Sequence, residues 1–315
     1  MREFSVPVAE WVADDENLTD MVFANAERFP STVSFRRRVD GSWSDVTTTE
    51  FAEQVLGVAK GLITQGLRPG QRIGLMSKTR YEWSLLDFAI WAAGGVSVPI
   101  YETSSAEQVE WILSDSGAVS IMAETAEHRE IVHSVLDRLS AVERVWHIEG
   151  TDGGPGAVDA LTVLGSEISD EEVHARRRAV RASEPATVVY TSGTTGKPKG
   201  CTLTHYNILA EVRSATTAFP RLMQPGNSLL LFLPLAHVLA RVLAVTCVYA
   251  RLAVGHTADV KNLVTDLGSF RPTFVVAVPR VFEKVYNTAK QRAHAEGKGK
   301  IFDAADATAV EHSKA

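Results

Sequence analysis

Between residues 50 and 150 the apolar positions switch repeatedly between two periods. Phe51, Val55, Val58, Ala59 and Leu62 recur three and four apart, one face of an amphipathic helix over 50–65. Thr47 and Glu50 have capping-box spacing at its start, and Gly66 can end it. Leu67-Arg68-Pro69-Gly70 reads as a turn. Ile73–Met76 is a short apolar strand, and Tyr81–Ala93 a second helix stopped by Gly94-Gly95. Val96–Ile100 is a buried strand; Ser104 and Glu107 open a third helix that turns Val109, Ile112 and Leu113 inward. Ala118–Ala123 is the next strand. Ile131, Val132, Val135, Leu136 and Leu139 mark a further helix, followed by the strand Val145–Ile148. Strands of four to six residues separated by helices predict an α/β fold: right-handed βαβ crossovers and a parallel sheet covered on both faces.

A second α/β series starts near Thr187. Its predicted strands are Val188–Thr191, Leu229–Leu233, Leu252–Gly255 and Phe274–Val278, with helices at 206–218, 236–250, 260–269 and 280–294. Gly150–Gly156 reads as an exposed loop and 166–184 as a charged surface helix. The runs Arg36-Arg37-Arg38 and Arg176-Arg177-Arg178 read as solvated faces rather than binding patches. The tail after Gly297-Lys298-Gly299-Lys300 is expected to be polar and poorly ordered. This divides the chain into an N-terminal segment (1–48), a first sub-lobe (49–185), a second sub-lobe (186–300) and a tail (301–315). The most apolar stretch, Leu229–Val254, is broken by Pro234, His237, Arg241 and Arg251. Ionised arginines at mid-bilayer are costly, so this stretch reads as a strand and buried helix, with no transmembrane segment.

Composition narrows the function. With 45% hydrophobic and 22% charged residues the chain can bury a large core. A net charge of −6 opposes general nucleic-acid binding. An anion must then be held by a local concentration of donors. Two cysteines, Cys201 and Cys247, are too few for a disulfide framework and lack zinc-site spacing, which points to a reducing cytoplasm. Residues 1–11 show no apolar run of the secretory kind.

Residues 190–200 supply that concentration. They read Tyr-Thr-Ser-Gly-Thr-Thr-Gly-Lys-Pro-Lys-Gly, directly after an apolar strand. Thr191, Ser192, Thr194 and Thr195 put four hydroxyls into five positions. Gly193, Gly196 and Gly200 permit close backbone approach, and Lys197 and Lys199 add charge. Amides, hydroxyls and ammonium groups converging at a strand end suit a polyphosphate. The spacing is not that of a Walker loop, since two residues lie between Gly193 and Gly196 and Pro198 follows the lysine. No dinucleotide fingerprint follows any strand. The plain alternative is a flexible polar surface loop, which the preceding strand and the density of donors oppose.

The segment Tyr190–Gly200 resembles the phosphate-loop signature of the AMP-forming adenylate-forming family, which includes acyl-CoA synthetases, luciferase and adenylation domains. Leu233–Arg241 resembles the second motif of its long-chain members. Val278–Tyr286 and Pro99–Ser104 resemble bacterial long-chain fatty-acid–CoA ligases, the actinobacterial ones above all. The resemblance covers essentially the whole chain. It implies two stacked flavodoxin-like βαβ sub-lobes within one AMP-binding large domain. The implied reaction joins a fatty acid to ATP, giving acyl-AMP and pyrophosphate, and then to CoA. ATP and CoA are co-substrates and Mg²⁺ the metal.

By the same resemblance Thr191, Ser192, Gly193, Thr194, Thr195, Gly196, Lys197, Lys199 and Gly200 hold the β- and γ-phosphates. Thr191 offers its hydroxyl to Mg²⁺, and His237 is the catalytic candidate beside the acyl-adenylate. Read alone, a single histidine there is a hydrogen-bonded structural residue, and one of the two lysines is a solubilising surface charge. Residues 238–245 and 278–286 are candidates for an acyl channel, or plain core packing. Peripheral membrane contact and homo-oligomerisation stay open. Past Tyr286 there is no Tyr-Gly-x-Thr-Glu segment to complete a Mg²⁺ site and no Thr-Gly-Asp segment for the ribose. The family's small C-terminal domain, with its adenylation lysine, has no counterpart here. The expectation is a large domain truncated before its β-barrel part is complete, inactive as a ligase alone, with an exposed, aggregation-prone sheet edge. A fatty acyl-AMP ligase and a non-catalytic nucleotide- or acyl-binding module are the alternatives.

Overall fold

The computed structural model describes residues 11–150, 153–191, 196–259 and 261–314. The chain forms two units, one running to Phe274 and the other Val275–Ala315.

In the first unit, α1 (Asp20–Arg28) precedes a hairpin of β1 (Val33–Val39) and β2 (Ser42–Thr47). Helix α2 (Thr48–Thr64) starts at the predicted capping box, Thr47 with Glu50. Then come β3 (Arg72–Met76), α3 (Tyr81–Ala92), β4 (Val96–Ile100), α4 (Ala106–Ser116), β5 (Ala118–Ala123), α5 (Ala126–His133) and β6 (Arg144–His147). The series continues with α6 (Ala157–Leu164), α7 (Asp170–Ala179), β7 (Pro185–Thr191), β8 (Lys199–Thr204) and α8 (His205–Ala218). It ends with β9 (Ser228–Leu231), α9 (Val238–Ala250), β10 (Ala253–His256) and α10 (Leu263–Phe270).

Ten strands form two sheets among the described residues. The larger has the order β6-β5-β3-β4-β7-β8, parallel except for the β7–β8 pair. Its first four strands in chain order, β3 to β6, follow the flavodoxin-like pattern, and β7 is added beside β4. The smaller sheet runs β2-β1-β10-β9, with β1 parallel to β10 and antiparallel to β2. Helix α3 lies between them. Phe35 of β1 packs on its Tyr81, and its Trp91 Nε1 donates to Ala186 O of β7 at 2.8 Å. Every residue of α3 except Glu82 is buried. Burying a side chain such as Leu85, Leu86 or Ile90 stabilises the fold by about 1.5–3 kcal/mol.

The α/β expectation agrees with this architecture; several details do not. The sheets do not divide at residue 186, because β7 and β8 bond into the sheet of β3–β6, while β1 and β2 of the 1–48 segment enter the other. Both antiparallel pairs lie at sheet edges, and strands paired in this sense need no crossover between them. Helix α4 is capped one residue later than predicted, by Ser105 with Gln108. The helix expected through Leu139 stops at His133, and a 3₁₀ turn spans Leu136–Arg138. The Gly150–Gly156 loop includes residues 151 and 152, outside the described set.

The arginine runs are not plain solvated faces. Arg37 pairs with Glu82 and lies over the Tyr81 ring, and Arg38 pairs with Asp266. Arg177 is buried, pairs with Asp20 at 2.7 Å and stacks on Phe23. The strand expected at Phe274–Val278 reduces to one bridge, Phe274 to Leu229, because 274–277 are only half-buried. The outer strand β9 nevertheless buries all its side chains.

The second unit pairs α11 (Pro279–Ala295) with α12 (Gly299–Lys314), packing Tyr286 against Phe302. The tail expected to lack order is therefore helical; Ala304, Ala305, Ala307 and Ala309 are strong helix formers. Among the described residues no helix is long and apolar enough to cross a membrane.

Candidate active site

In open α/β sheets ligands gather beyond the carboxyl ends of the strands. At that end of β4 and β7 lies a cavity of about 380 Å³. Its wall joins three stretches far apart in sequence: Pro99, Tyr101 and Ser104 after β4; Val189, Tyr190, Thr191 and Pro198 around the loop; and His237 with Val238 at the start of α9. Gln108 and Ile112 of α4 close another side.

The loop is held from both flanks. Tyr190 stands opposite Gly200, and Thr191 opposite Lys199, in the β7–β8 register. A Cβ at Gly200 would stand 3.1 Å from Tyr190 Cζ and 2.9 Å from Val188 Cγ1, so glycine lets the tyrosine lie across the hairpin. The Tyr190 hydroxyl donates to Asp115 Oδ2 of α4 at 2.6 Å. Burial and that carboxylate both raise its pKa, keeping it a donor. Gly196 takes φ +102°, a conformation side chains rarely adopt. Trp111 Nε1 donates to Pro198 O at 2.8 Å, and Lys197 Nζ lies 4.3 Å from the indole centroid.

Thr191, Gly196, Lys197, Lys199 and Gly200 are all exposed, with Thr191, Lys199 and Gly200 in the β7–β8 ladder. Ser192, Gly193, Thr194 and Thr195 lie outside the described residues.

His237 caps α9: its Nδ1 accepts the Leu239 N–H at 3.2 Å. A neutral ring used this way carries its proton on Nε2, as a donor for an anion. The approach to it is braced by Thr79, whose hydroxyl donates to Leu233 O and accepts from Leu235 N. Behind it, Arg241 is buried and pairs with Asp87 of α3 at 2.8 Å. The same guanidinium donates to Ser97 Oγ of β4 at 2.7 Å and to Thr187 Oγ1 of β7. One side chain thus ties α9 to the two strands that carry the cavity.

Of the apolar run 238–245, Val238 lines the cavity, whereas Ala240, Ala244 and Val245 belong to the core. Phe282 and Tyr286, within the other segment proposed for an acyl channel, lie on α11 with exposed side chains. The described cavity wall holds hydroxyls, an amide and an imidazole but no carboxylate. Among the described residues no cluster of three or more His, Cys, Asp or Glu could hold a metal. These residues alone do not complete a Mg²⁺ coordination set.

Sequence reasoning missed Trp111, Gln108, Asp115 and Asp87. Gln108, Trp111, Ile112 and Asp115 recur at helical spacing, but of these only Ile112 was legible, as part of the core face with Val109 and Leu113. Nothing local links Asp87 to Arg241, 154 residues away.

Two parallel-rich sheets, with the candidate loop at the carboxyl ends of the larger one, define an α/β protein with its candidate site at the strand ends. The chain belongs to the AMP-binding enzyme family, whose profile matches residues 22–311. It is 49% identical over its full length to the long-chain-fatty-acid–CoA ligase FadD15 of Mycobacterium tuberculosis and covers 52% of that protein. It is 30% identical over 86% of its length to the peroxisomal long chain acyl-CoA synthetase 6 of Arabidopsis thaliana, covering 40% of it. The chain thus spans about half the length of the relatives it matches, or less. In fold it is similar to a long-chain-fatty-acid-CoA ligase (FadD1) from Archaeoglobus fulgidus, with TM-score 0.75 and 22% identity over 92% of this chain and 57% of that one.

Proposed function

We propose that the chain is the phosphate-loop part of an AMP-forming long-chain fatty-acid–CoA ligase. The observation that carries this reading is the meeting of Pro99, Tyr101 and Ser104 with Val189, Tyr190, Thr191 and Pro198, and with His237 and Val238, on one cavity. Fatty acid as substrate is supported by relatives that are long-chain-fatty-acid–CoA ligases. ATP would place its β- and γ-phosphates on Thr191, Gly196, Lys197, Lys199 and Gly200, with Ser192–Thr195 completing the loop. His237 would donate from Nε2 to the α-phosphate or the fatty carboxylate. A carboxylate oxygen attacks the α-phosphorus as the bond to pyrophosphate breaks, giving acyl-AMP. The CoA sulfur then attacks the acyl carbon and AMP leaves. Positioning and charge neutralisation supply most of the acceleration in such transfers. Mg²⁺ would travel with the triphosphate, Thr191 being the hydroxyl assigned to it. Cys201 and Cys247 are free thiols, which fits the proposed cytoplasmic setting.

Taken alone, these residues are expected to bind Mg-ATP with negligible turnover, since the described part of their cavity wall holds no carboxylate for the ion. The test is ATP–pyrophosphate exchange with a panel of fatty acids. This chain would be compared with a chimera joining it to the C-terminal half of the M. tuberculosis relative. Exchange should depend on fatty acid in the chimera and be negligible in the chain alone. A chimera that folds and binds Mg-ATP but exchanges with no fatty acid would overturn the assignment.

A further inference from the structure

The phosphate loop does not stand free; α4 reaches it at several points. Asp115 takes the Tyr190 hydroxyl at the end of β7, and Trp111 grips the far side of the loop, one turn earlier. Trp111 does so in two ways: its indole N–H donates to Pro198 O at 2.8 Å, and its ring carries Lys197 Nζ at 4.3 Å. The ring itself is half-buried against the core of the larger sheet. Its position is therefore set by the fold and not by the loop.

We propose that Trp111 is a positioning residue for polyphosphate binding, a dock that fixes the loop backbone and stores the Lys197 ammonium until phosphate draws it away. This rests on the reading of the loop as a polyphosphate holder. The Pro198 bond serves the loop with and without ligand, because it fixes backbone. The Lys197 contact is made without ligand and given up on binding, because an indole face attracts an ammonium far less than a doubly charged phosphate does. Fixing the loop in advance removes part of the ordering cost of binding.

Two variants separate the functions. Trp111→Phe keeps an aromatic face and loses the N–H; Trp111→Leu loses both. Measured by calorimetry with Mg-ATP, the Phe variant should bind about threefold more weakly, having lost the bond that fixes the loop, and the Leu variant no more weakly than that, because the Lys197 contact it also loses is made only without ligand and competes with phosphate. The spectroscopic signature is indole fluorescence. Mg-ATP should change the emission of the wild-type chain, and Trp111→Phe should abolish that change although five of the six tryptophans remain. Lys197→Met should abolish it as well. A merely structural role for Trp111 predicts no such dependence on Lys197. Unchanged affinity in Trp111→Phe, a Leu variant that binds more weakly than the Phe variant, or an emission change that survives in Trp111→Phe, overturns the proposal.

A ligand-free readout separates this proposal from the function on which it rests. Trypsin cannot cut after Lys197, which precedes proline, but can cut after Lys199. Cleavage there should be about tenfold faster in Trp111→Leu than in wild type, matching the lost loop contacts. Absence of Mg-ATP binding by the wild type would count against the nucleotide reading. Equal cleavage rates would count against the dock.

Discussion

Buried among apolar neighbours, Arg241 is tolerated because Asp87 neutralises it and Ser97 and Thr187 accept its remaining N–H groups. Removing one partner leaves an uncompensated charge in the core, at a cost of about 3–5 kcal/mol. Arg241→Met and Asp87→Leu should each lower the unfolding free energy in urea by about that amount, and the double variant should regain most of it. Additive losses would contradict the pairing. In the sequence Arg241 was legible, with Arg251, as a cation interrupting an apolar run and opposing a membrane span. Its partner was not, since α3 meets α9 only through the tertiary fold. His205 makes a second prediction. It is buried, accepts the Leu18 N–H on Nδ1, and burial pulls its pKa down to about 4. The unfolded chain, with imidazole near ~6.5, binds this proton more readily, so the contribution is full above about pH 6.5 and is lost as pH falls toward 4. His205→Asn keeps an acceptor and should flatten the stability curve between those values. His256, also pulled down to about 4, should leave a residual slope. A wild-type slope unchanged by His205→Asn would assign the titration elsewhere.

At the level of elements, α4 matters most to the site, and its first turn rests on the Ser105–Gln108 capping box. Ser105→Ala should cost about 1 kcal/mol in denaturant unfolding. Because Gln108 also lines the cavity, that variant should weaken Mg-ATP binding more than Thr204→Ala, which removes the equivalent cap of α8. Equal effects would show that α4 is not coupled to the loop. Strands β4 and β5 were legible to the residue, as short apolar runs between helices. The β1–β2 hairpin was not, although Asp40-Gly41, both at positive φ, is a hairpin signal. Three arginines interrupted the apolar alternation, and each finds a carboxylate partner only in the folded chain. Strand β8 escaped notice for a related reason: its side chains are exposed or half-buried, so no burial pattern marks it. The outcome is that the loop joins two strands of one sheet, which the motif alone did not reveal.

For the molecule as a whole, the family assignment rests on a match over 22–311, and the proposed chemistry on one cavity that gathers three of its motifs. The central claim is that the hairpin between β7 and β8 takes the triphosphate of ATP. Amide hydrogen exchange, followed by mass spectrometry with and without Mg-ATP, addresses it directly. The account predicts slower exchange at Thr191 and over 196–200, together with the first turn of α9 after His237, and no change in β1 and β2. Mg-ATP that binds while leaving the hairpin amides unprotected, or that protects a different face of the molecule, would contradict it.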